Sequence, residues 1–599
     1  MPAVRLLIAS APHRDTFGYS MPPPGLLRLG AMLESKGRFV RLEDLAYRLG
    51  SGELRGGDAL ADSSAAFLLA RIEAERIEVL GLSVMGATVP IALAILERIR
   101  AVQPHLLTLM GGPGTTGLDT LLLERFPQLD VVVRGEAEQT ILELLNAAPS
   151  RSFAGVSGIT HRDGAGRIVR EADRAPIADL ATLPGYAWHL LPPIAAYKRI
   201  TGEEDGLVPL DSGRGCVYDC SFCTIGRYWN RRSRPLPAHR LADEIAALRA
   251  IPGARQAYLC HDLFAANRAH ALELCAELQA RGNPLPWEVR ARADHLDAEL
   301  LRAMGAAGCY RALLGIESAD PAVRRRNQKG MREDIDLLRV VDDCAAAGIV
   351  PILSLILGLP GEDEASLRLT LDFCARAARR TGVQLSLHLV NPQPGCGLGE
   401  EFGAAARPIE GIPPDMAFGA GEGVHERALI AAHPDLFTTW ALLPQEEARL
   451  RFLHRIATEL PEVLMRYPRT WQRMAEQLGG LDTLDLWQQW KLCGSSFEAF
   501  ALRQSGDWIH ATLLWEQAQV RAGARGPDRP AERLRLTCDP TREEINASPT
   551  VLAVRSERGR IATMRLSADI DRVLAIAENG TQPIPPDLLA RLREQGLVS

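Results

Sequence analysis

Residues 214–226 read RGCVYDCSFCTIG and set Cys216, Cys220 and Cys223 in a C-x3-C-x2-C array. Three thiolates at this spacing suit a soft metal centre. A structural zinc site wants four ligands, and no Cys or His stands within a few residues to supply the fourth. A cubane iron–sulfur cluster also takes four ligands when it is purely structural. With three, one iron stays open for a substrate or cofactor. The array follows an apolar run, LVPLDSG, so it sits where a strand ends. In βα-barrel enzymes that end of the strand is where chemistry is done.

Working outward, residues 205–395 alternate short apolar runs with helical patterns. The candidate strands are LVPLDSG, QAYLCHD, PWEVRAR, YRALLGIE, VPILSLILG and QLSLHLVN. Six βα units are too few to close an eight-stranded barrel, so an open, partial barrel is expected. Residues 1–148 show the same alternation, with strands at 4–10, 40–45, 79–84, 106–112 and 131–136. That pattern implies a parallel sheet covered on both faces. Ligands of such sheets lie beyond the carboxyl ends of the strands. Three stretches fall there: SVMGAT with Ser83 and Met85, GGPG with Gly111, Gly112 and Gly114, and RGEAE with Gly135 and Glu136. Glycines at these turns let the main chain approach a large flat ligand. Residues 149–204 read as a hairpin around Asp163-Gly164 followed by a Pro-rich connector. Residues 401–599 look mainly helical, with a small strand pair after about 525. They hold six of the nine Trp, which helical spacing places in a core.

The composition is that of a globular protein, 47% hydrophobic and 24% charged. The net charge of -6 leaves no basic footprint for nucleic acid. The N-terminal MPAVRLLIASAPHRD has no basic leader, and no apolar run approaches the roughly 18 residues that span a bilayer. Eleven cysteines without secreted-scaffold spacing fit a reducing cytoplasm.

The C-x3-C-x2-C array, with Arg214-Gly215 before it and Phe222 inside it, resembles the radical S-adenosylmethionine (SAM) family. The resemblance implies a [4Fe-4S] cluster on Cys216, Cys220 and Cys223, with SAM on the open iron. It also implies one-electron cleavage of SAM to methionine and a 5'-deoxyadenosyl radical, with an external electron donor of flavodoxin or ferredoxin type. LLGIES (313–318) resembles the fourth-strand motif, which gives Glu317 and Ser318 to the SAM ribose. ILGLPGE (356–362) resembles the fifth-strand motif and puts Gly358 near the adenine. Arg290 and Arg292 in WEVRARAD then fall where they could neutralise the SAM carboxylate, or where they could be strand-end ion-pair partners.

A doubly wound domain, a hairpin, a Pro-rich connector and then the cluster motif resemble, in that order, the cobalamin-dependent subclass. The implied fold is an N-terminal Rossmann-like cobalamin domain, a partial (β/α)6 barrel and a mainly helical C-terminal domain. The D-x-H-x-x-G stretch that puts a His under cobalt in many cobalamin proteins is absent, since the chain has APHRDTFG there. His13 therefore reads as a loop residue, and Met85 is the nearest soft side chain. The implied activity is methyl transfer from SAM, through methylcobalamin, to a carbon of a small molecule such as a natural-product or amino-acid precursor, tryptophan included. Two alternatives stay open: a non-methylating rearrangement or cyclisation, and a non-catalytic cobalamin- or redox-responsive binding protein. A tRNA methylthiotransferase would need three more N-terminal Cys, and no Cys precedes Cys216. His261-Asp262, after the second barrel strand, reads as a proton relay or a polar helix-capping pair, and Cys396 is the one outlying thiol on the catalytic side.

Overall fold

The structure is a computed structural model. It describes residues 4–14, 21–201, 206–380, 382–414, 420–421, 423–504, 507–525, 532–536, 538–541, 550–557, 560–566, 570 and 574. The chain divides into two compact units. One comprises residues 1–362 and 386–454, the other 363–385 and 455–599.

The first unit carries two parallel sheets. In the N-terminal sheet the order is β2 (Val40–Asp44), β1 (Leu6–Ser10), β3 (Val79–Ser83), β4 (Leu107–Gly111), β5 (Val131–Val133), β6 (Ile159–Arg162) and β7 (Ile168–Arg170). β1 to β5 run parallel. The expected hairpin, β6 and β7, adds to this sheet antiparallel rather than standing in a separate connector. Alternation along each strand fills both faces. Leu7, Leu80, Leu82, Met110 and Val132 go to one core. Leu6, Ile8, Val79, Leu107, Leu109, Val131 and Val133 go to the other. Helices cover both faces, as near-continuous apolar strands require.

The second sheet has six strands in the order β15 (Gln384–Leu389), β14 (Val350–Leu357), β13 (Cys309–Glu317), β12 (Trp287–Arg292), β11 (Gln256–Leu259) and β8 (Leu207–Leu210). Neighbours from β8 to β14 are parallel, so the six expected units form an open barrel wall. A short antiparallel pair, β9 (Gly213–Arg214) with β10 (Arg234–Pro235), brackets the cysteine array. Two-residue strands carry no periodicity, so no residue pattern marks this clamp.

The stretch after the barrel does not all lie with the tail. Ile430, Leu436 and Phe437 join the core of the N-terminal sheet, within the first unit. The second unit, taken by itself, is built from helices that include Glu364–Ala378, Pro468–Gln477, Thr483–Leu492 and Asp507–Arg525. It adds a three-stranded antiparallel sheet, β16 (Glu532–Leu536), β17 (Thr550–Glu557) and β18 (Arg560–Arg565). Its tryptophans are core residues, as their helical spacing predicts: Trp471, Trp487, Trp490 and Trp515 are buried. Phe497 stacks on Tyr467 and Trp471 at 5.5 and 5.6 Å between centroids.

Candidate active site

The cysteine loop begins at Gly215, whose φ of 91° is a left-handed conformation that suits glycine. The loop is tied at its centre. Ser221 N donates to Asn327 O at 3.0 Å, and Leu398 N donates to Ser221 O at 2.8 Å. Cys216, Cys220 and Cys223 are unbridged and half-buried. Burial pushes all three thiols up, Cys223 to about 12. Thiolates in this loop therefore need a strong positive partner. Among the described residues no three His, Cys, Asp or Glu side chains gather on one metal ion. A cubane places each thiolate on a different iron, so its ligands stand apart where those of a zinc site converge.

Around the loop the inward residues of the barrel are ion-paired. Arg292 donates from Nη1 to Lys329 O at 2.6 Å and from Nε to Asp294 Oδ1 at 3.0 Å. Its guanidinium lies 3.9 Å from the ring centroid of Tyr218, inside the cysteine loop. Tyr218 Oη is hydrogen-bonded to His295 Nε2 at 2.8 Å. Arg292 thus takes the ion-pair reading of the two the sequence left open. Glu317 ends β13 with φ 68°, a strained position for a side-chain-bearing residue. Lys329 Nζ donates to its Oε1 at 2.6 Å, and both side chains are buried. Gly315 leaves room for that pair, since a Cβ there would stand 2.7 Å from Glu317 Oε1 and 2.9 Å from Lys329 Nζ. Ser318 Oγ accepts from Asp320 N at 3.2 Å. Lys329 carried no sequence signal beyond being one of four lysines.

The other proposed barrel positions have mixed surroundings. Gly358 (φ 80°) donates its N–H to Glu362 at 2.9 Å and accepts from Gln445 Nε2 at 2.8 Å. Phe222 packs in an apolar cluster with Leu359, Leu398 and Cys396. Cys396 is fully buried and caps the helix Gly397–Phe402, accepting from Gly399 N at 3.3 Å. Arg290 is exposed, with its guanidinium 5.5 Å from the Tyr258 centroid. His261 is buried beside Gly213 and is hydrogen-bonded to Ser233 Oγ at 3.2 Å. Burial lowers it to about 4, so it is neutral and structural, while Asp262 opens into a cavity. The pair does not act together as a relay.

That cavity, of about 330 Å³, lies between the carboxyl ends of the N-terminal strands and the barrel mouth. Ser83, Gly111, Gly112, Gly135 and Glu136 line one side; Asp211, Arg214, Trp229, Cys260 and Asp262 line the other. Gly112 has φ 107°, and a Cβ there would meet Val84 O at 2.6 Å. Gly114 does not line the cavity. It lets the turn after β4 close onto Met85, whose carbonyl carbon would lie 2.5 Å from a Cβ. Met85 is 52% exposed and also lies outside the cavity wall. Glu136 does more than line it. Both of its oxygens are engaged, with Arg214 at 2.7 Å, Arg234 at 3.0 Å and Ile177 N at 2.5 Å. Glu138 holds the second Arg214 nitrogen at 2.6 Å.

Comparison with known proteins matches the architecture. Residues 13–145 fit the B12 binding domain and residues 210–374 the Radical SAM superfamily. The chain pairs the two domains that cobalamin-dependent radical SAM enzymes combine. An uncharacterized methyltransferase of Pyrococcus horikoshii is 24% identical over 383 residues, 63% of this chain and 79% of that protein. The anaerobic magnesium-protoporphyrin IX monomethyl ester cyclase of Cereibacter sphaeroides is 30% identical over 45% of this chain, which spans 44% of the cyclase. Among solved structures, the radical S-adenosylmethionine methyltransferase TsrM of Kitasatospora setae, bound to tryptophan and a SAM analogue, is similar in fold. Its TM-score is 0.56 at 18% identity, covering 79% of this chain and 99% of that one.

The cofactors of this cobalamin-dependent radical SAM enzyme are a [4Fe-4S] cluster, SAM and cobalamin. The residues present fit them. Three unbridged thiols in one short loop at the mouth of the barrel supply the soft donor set that an iron–sulfur cluster takes. A cavity walled by glycine backbone on the sheet side suits a flat macrocycle with a long tail. Among the described residues, no helix is long and apolar enough to cross a membrane.

Proposed function

We propose that the chain transfers a methyl group from SAM to a carbon of a small-molecule acceptor, in a reducing cytoplasm and with an external flavodoxin- or ferredoxin-type donor. When bound, the reduced cluster supplies the electron that cleaves SAM, and cobalamin carries the methyl group. One observation carries the reading: the cobalamin-side glycines and the inward residues Cys260 and Asp262 wall a single cavity. An acceptor in the barrel mouth therefore has direct access to both halves.

In this reading Cys216, Cys220 and Cys223 hold the cluster. Glu317, oriented by Lys329, and Ser318 take the SAM ribose, and Gly358 borders the adenine. Ser83, Gly111, Gly112 and Gly135 receive cobalamin by backbone approach. Gly114 acts one step back, by keeping the β3 and β4 turns together. Glu136 fixes the wall rather than touching the cofactor, and Phe222 backs the cluster loop from its apolar side. Met85, outside the cavity wall, takes no part in holding cobalamin in this reading. Tryptophan is a reasonable first acceptor to try, because the similar TsrM structure holds it.

The likeness to a cyclase favours a second reading, in which the same site rearranges or cyclises its substrate without methylation. Anaerobic reconstitution followed by product analysis separates the two. 5'-Deoxyadenosine together with S-adenosylhomocysteine and a methylated product supports methyl transfer. 5'-Deoxyadenosine alone, with a product of unchanged carbon count, overturns it in favour of rearrangement.

A further inference from the structure

The helix Pro24–Ser35 serves the cavity and the barrel at once. Pro24, Gly25, Leu26 and Leu29 line the cavity. Arg28, among them in sequence, is not in that wall and is only 1% exposed, a rare burial for a guanidinium. Its side chain reaches out of the N-terminal domain. Nη2 donates to Glu244 Oε2 at 3.1 Å, on the barrel helix Ala238–Ala247. Nη1 donates to Pro184 O at 2.8 Å and Nη2 to Tyr186 Oη at 2.6 Å, both in the connector. Nε lies 3.5 Å from Asp211 Oδ2, in the turn between β8 and β9. Tyr186 Oη also accepts from Asp211 N at 2.7 Å, so one oxygen joins Arg28 to Asp211.

Asp211 passes the connection on. Its Oδ2 accepts from Arg214 Nε at 3.0 Å and from Arg214 Nη2 at 2.8 Å. Glu244, Arg28, Asp211, Arg214 and Glu136 thus form a series of alternating charge that passes two residues before Cys216. Stability does not require it. A buried ion pair replaced by apolar side chains of similar volume is often neutral, and the same helix already buries Leu26, Leu27 and Leu33. What the charges add is fixed geometry. A guanidinium is planar, with five donors in a rigid fork, and this fork is held by three segments at once. Asp211 therefore follows any shift of Arg28, and Arg28 follows Leu29 in the cavity wall. Networks of packed ion pairs and hydrogen bonds are what carries such coupling between sites.

We infer that Arg28 is a positioning residue that couples the cavity to the cysteine loop through Asp211. A ligand seated against the helix Pro24–Ser35 fixes Arg28, and through it Asp211, Arg214 and the loop that begins at Gly215. The relative placement of the two cofactors is then set by side chains that touch neither of the reacting centres. This rests on cobalamin in the cavity and the cluster on the cysteine loop. It does not depend on the fate of the methyl group, and applies equally to a rearrangement.

The test is hydrogen–deuterium exchange of the cluster-reconstituted full chain, with and without saturating hydroxocobalamin. Cobalamin should slow exchange in the cavity wall, over residues 107–115. In the wild type it should also slow exchange over residues 216–226, none of which lines the cavity, by about fivefold or more, the lower end of ordinary coupling between two sites. The double variant Arg28→Met with Glu244→Gln removes both partners of the buried pair. There the wall should still be protected, and the effect on the loop should drop below about twofold. Arg28→Lys should keep part of it, because an ammonium cannot reach all the groups that the fork holds. A purely structural role would raise exchange equally in both states and leave the difference intact. If the double variant takes up no cobalamin, Tyr186→Phe carries the test: it deletes only the shared oxygen, and the effect on the loop should fall in the same direction. The inference is overturned if the wild-type loop ignores cobalamin while the wall is protected, or if variants that bind cobalamin keep the full effect. Failure of the cobalamin placement looks different: neither wall nor loop responds, and the inference falls with it.

Discussion

Arg214, two residues before the first cluster cysteine, donates from Nη1 to Glu136 of the B12-binding domain at 2.7 Å, and both side chains are buried. The cysteine loop is therefore tied to the wall of the cavity proposed for cobalamin. Arg234 shares the same carboxylate from the other side of the β9–β10 clamp. Replacing Glu136 by Gln leaves the buried Arg214 and the half-buried Arg234 short of charge. Breaking a buried pair in this way costs about 3–5 kcal/mol. The expected result is a lower unfolding midpoint together with weaker cobalamin retention, read by calorimetry and by the bound-cobalamin absorbance. Unchanged values of both would mean that Glu138 and Asp211 alone hold Arg214.

The cysteines divide sharply by environment. Cys220→Ala should lose the cluster absorbance and abolish 5'-deoxyadenosine formation. Cys396→Ala should keep both, because Cys396 is fully buried as a helix cap, and losing a cap of this kind costs about 1 kcal/mol. Iron and sulfide content of the two variants checks this. A loss of iron in Cys396→Ala would make that thiol part of the centre.

Lys329 and Glu317 form the other buried pair at the site. Lys329→Met strands the carboxylate in a low-dielectric wall, where its charged form is disfavoured. Glu317 would then turn out of the left-handed conformation that the pair now holds in place. SAM affinity should fall about tenfold or more, with the cluster intact, because the hydrogen bond proposed between Glu317 and the SAM ribose is lost. Lys329→Arg should keep most of it. Equilibrium dialysis of SAM against the cluster-loaded variants decides the matter.

Much of this was legible in the chain. The thiol array, the strand ends and the order of the two α/β regions depend on local spacing, and the structure puts them where periodicity indicated. The partners were not legible. Lys329 meets Glu317, and Glu136 meets Arg214, only after about a dozen and about eighty residues of intervening fold, and ion pairing leaves no periodic trace. Glu136 read as a cofactor contact because it follows a strand-end glycine. The structure gives both of its oxygens to arginines and a backbone N–H instead. The stretch that contributes Ile430, Leu436 and Phe437 to the N-terminal core read as part of the tail for a similar reason: an amphipathic pattern shows that a face is buried, not what covers it.

His261 supplies a pH dependence whose sign is fixed by burial. Desolvation brings the folded-state imidazole down to about 4 from an ordinary 6.5. The unfolded chain therefore takes up a proton at this residue before the folded chain does. Its contribution is fully present above pH 6.5 and is lost as the pH falls from there through about 4. The full swing is about 3 kcal/mol, of which about 2 kcal/mol falls between pH 7.5 and pH 5. His261→Gln removes the titrating group while keeping a polar side chain toward Ser233. Urea unfolding of cluster-free wild-type and variant chains at the two pH values should show a smaller acid-induced loss in the variant by about that amount. Equal losses would mean that the imidazole is reached by solvent, and that Gly213 and Ser233 do not enclose it.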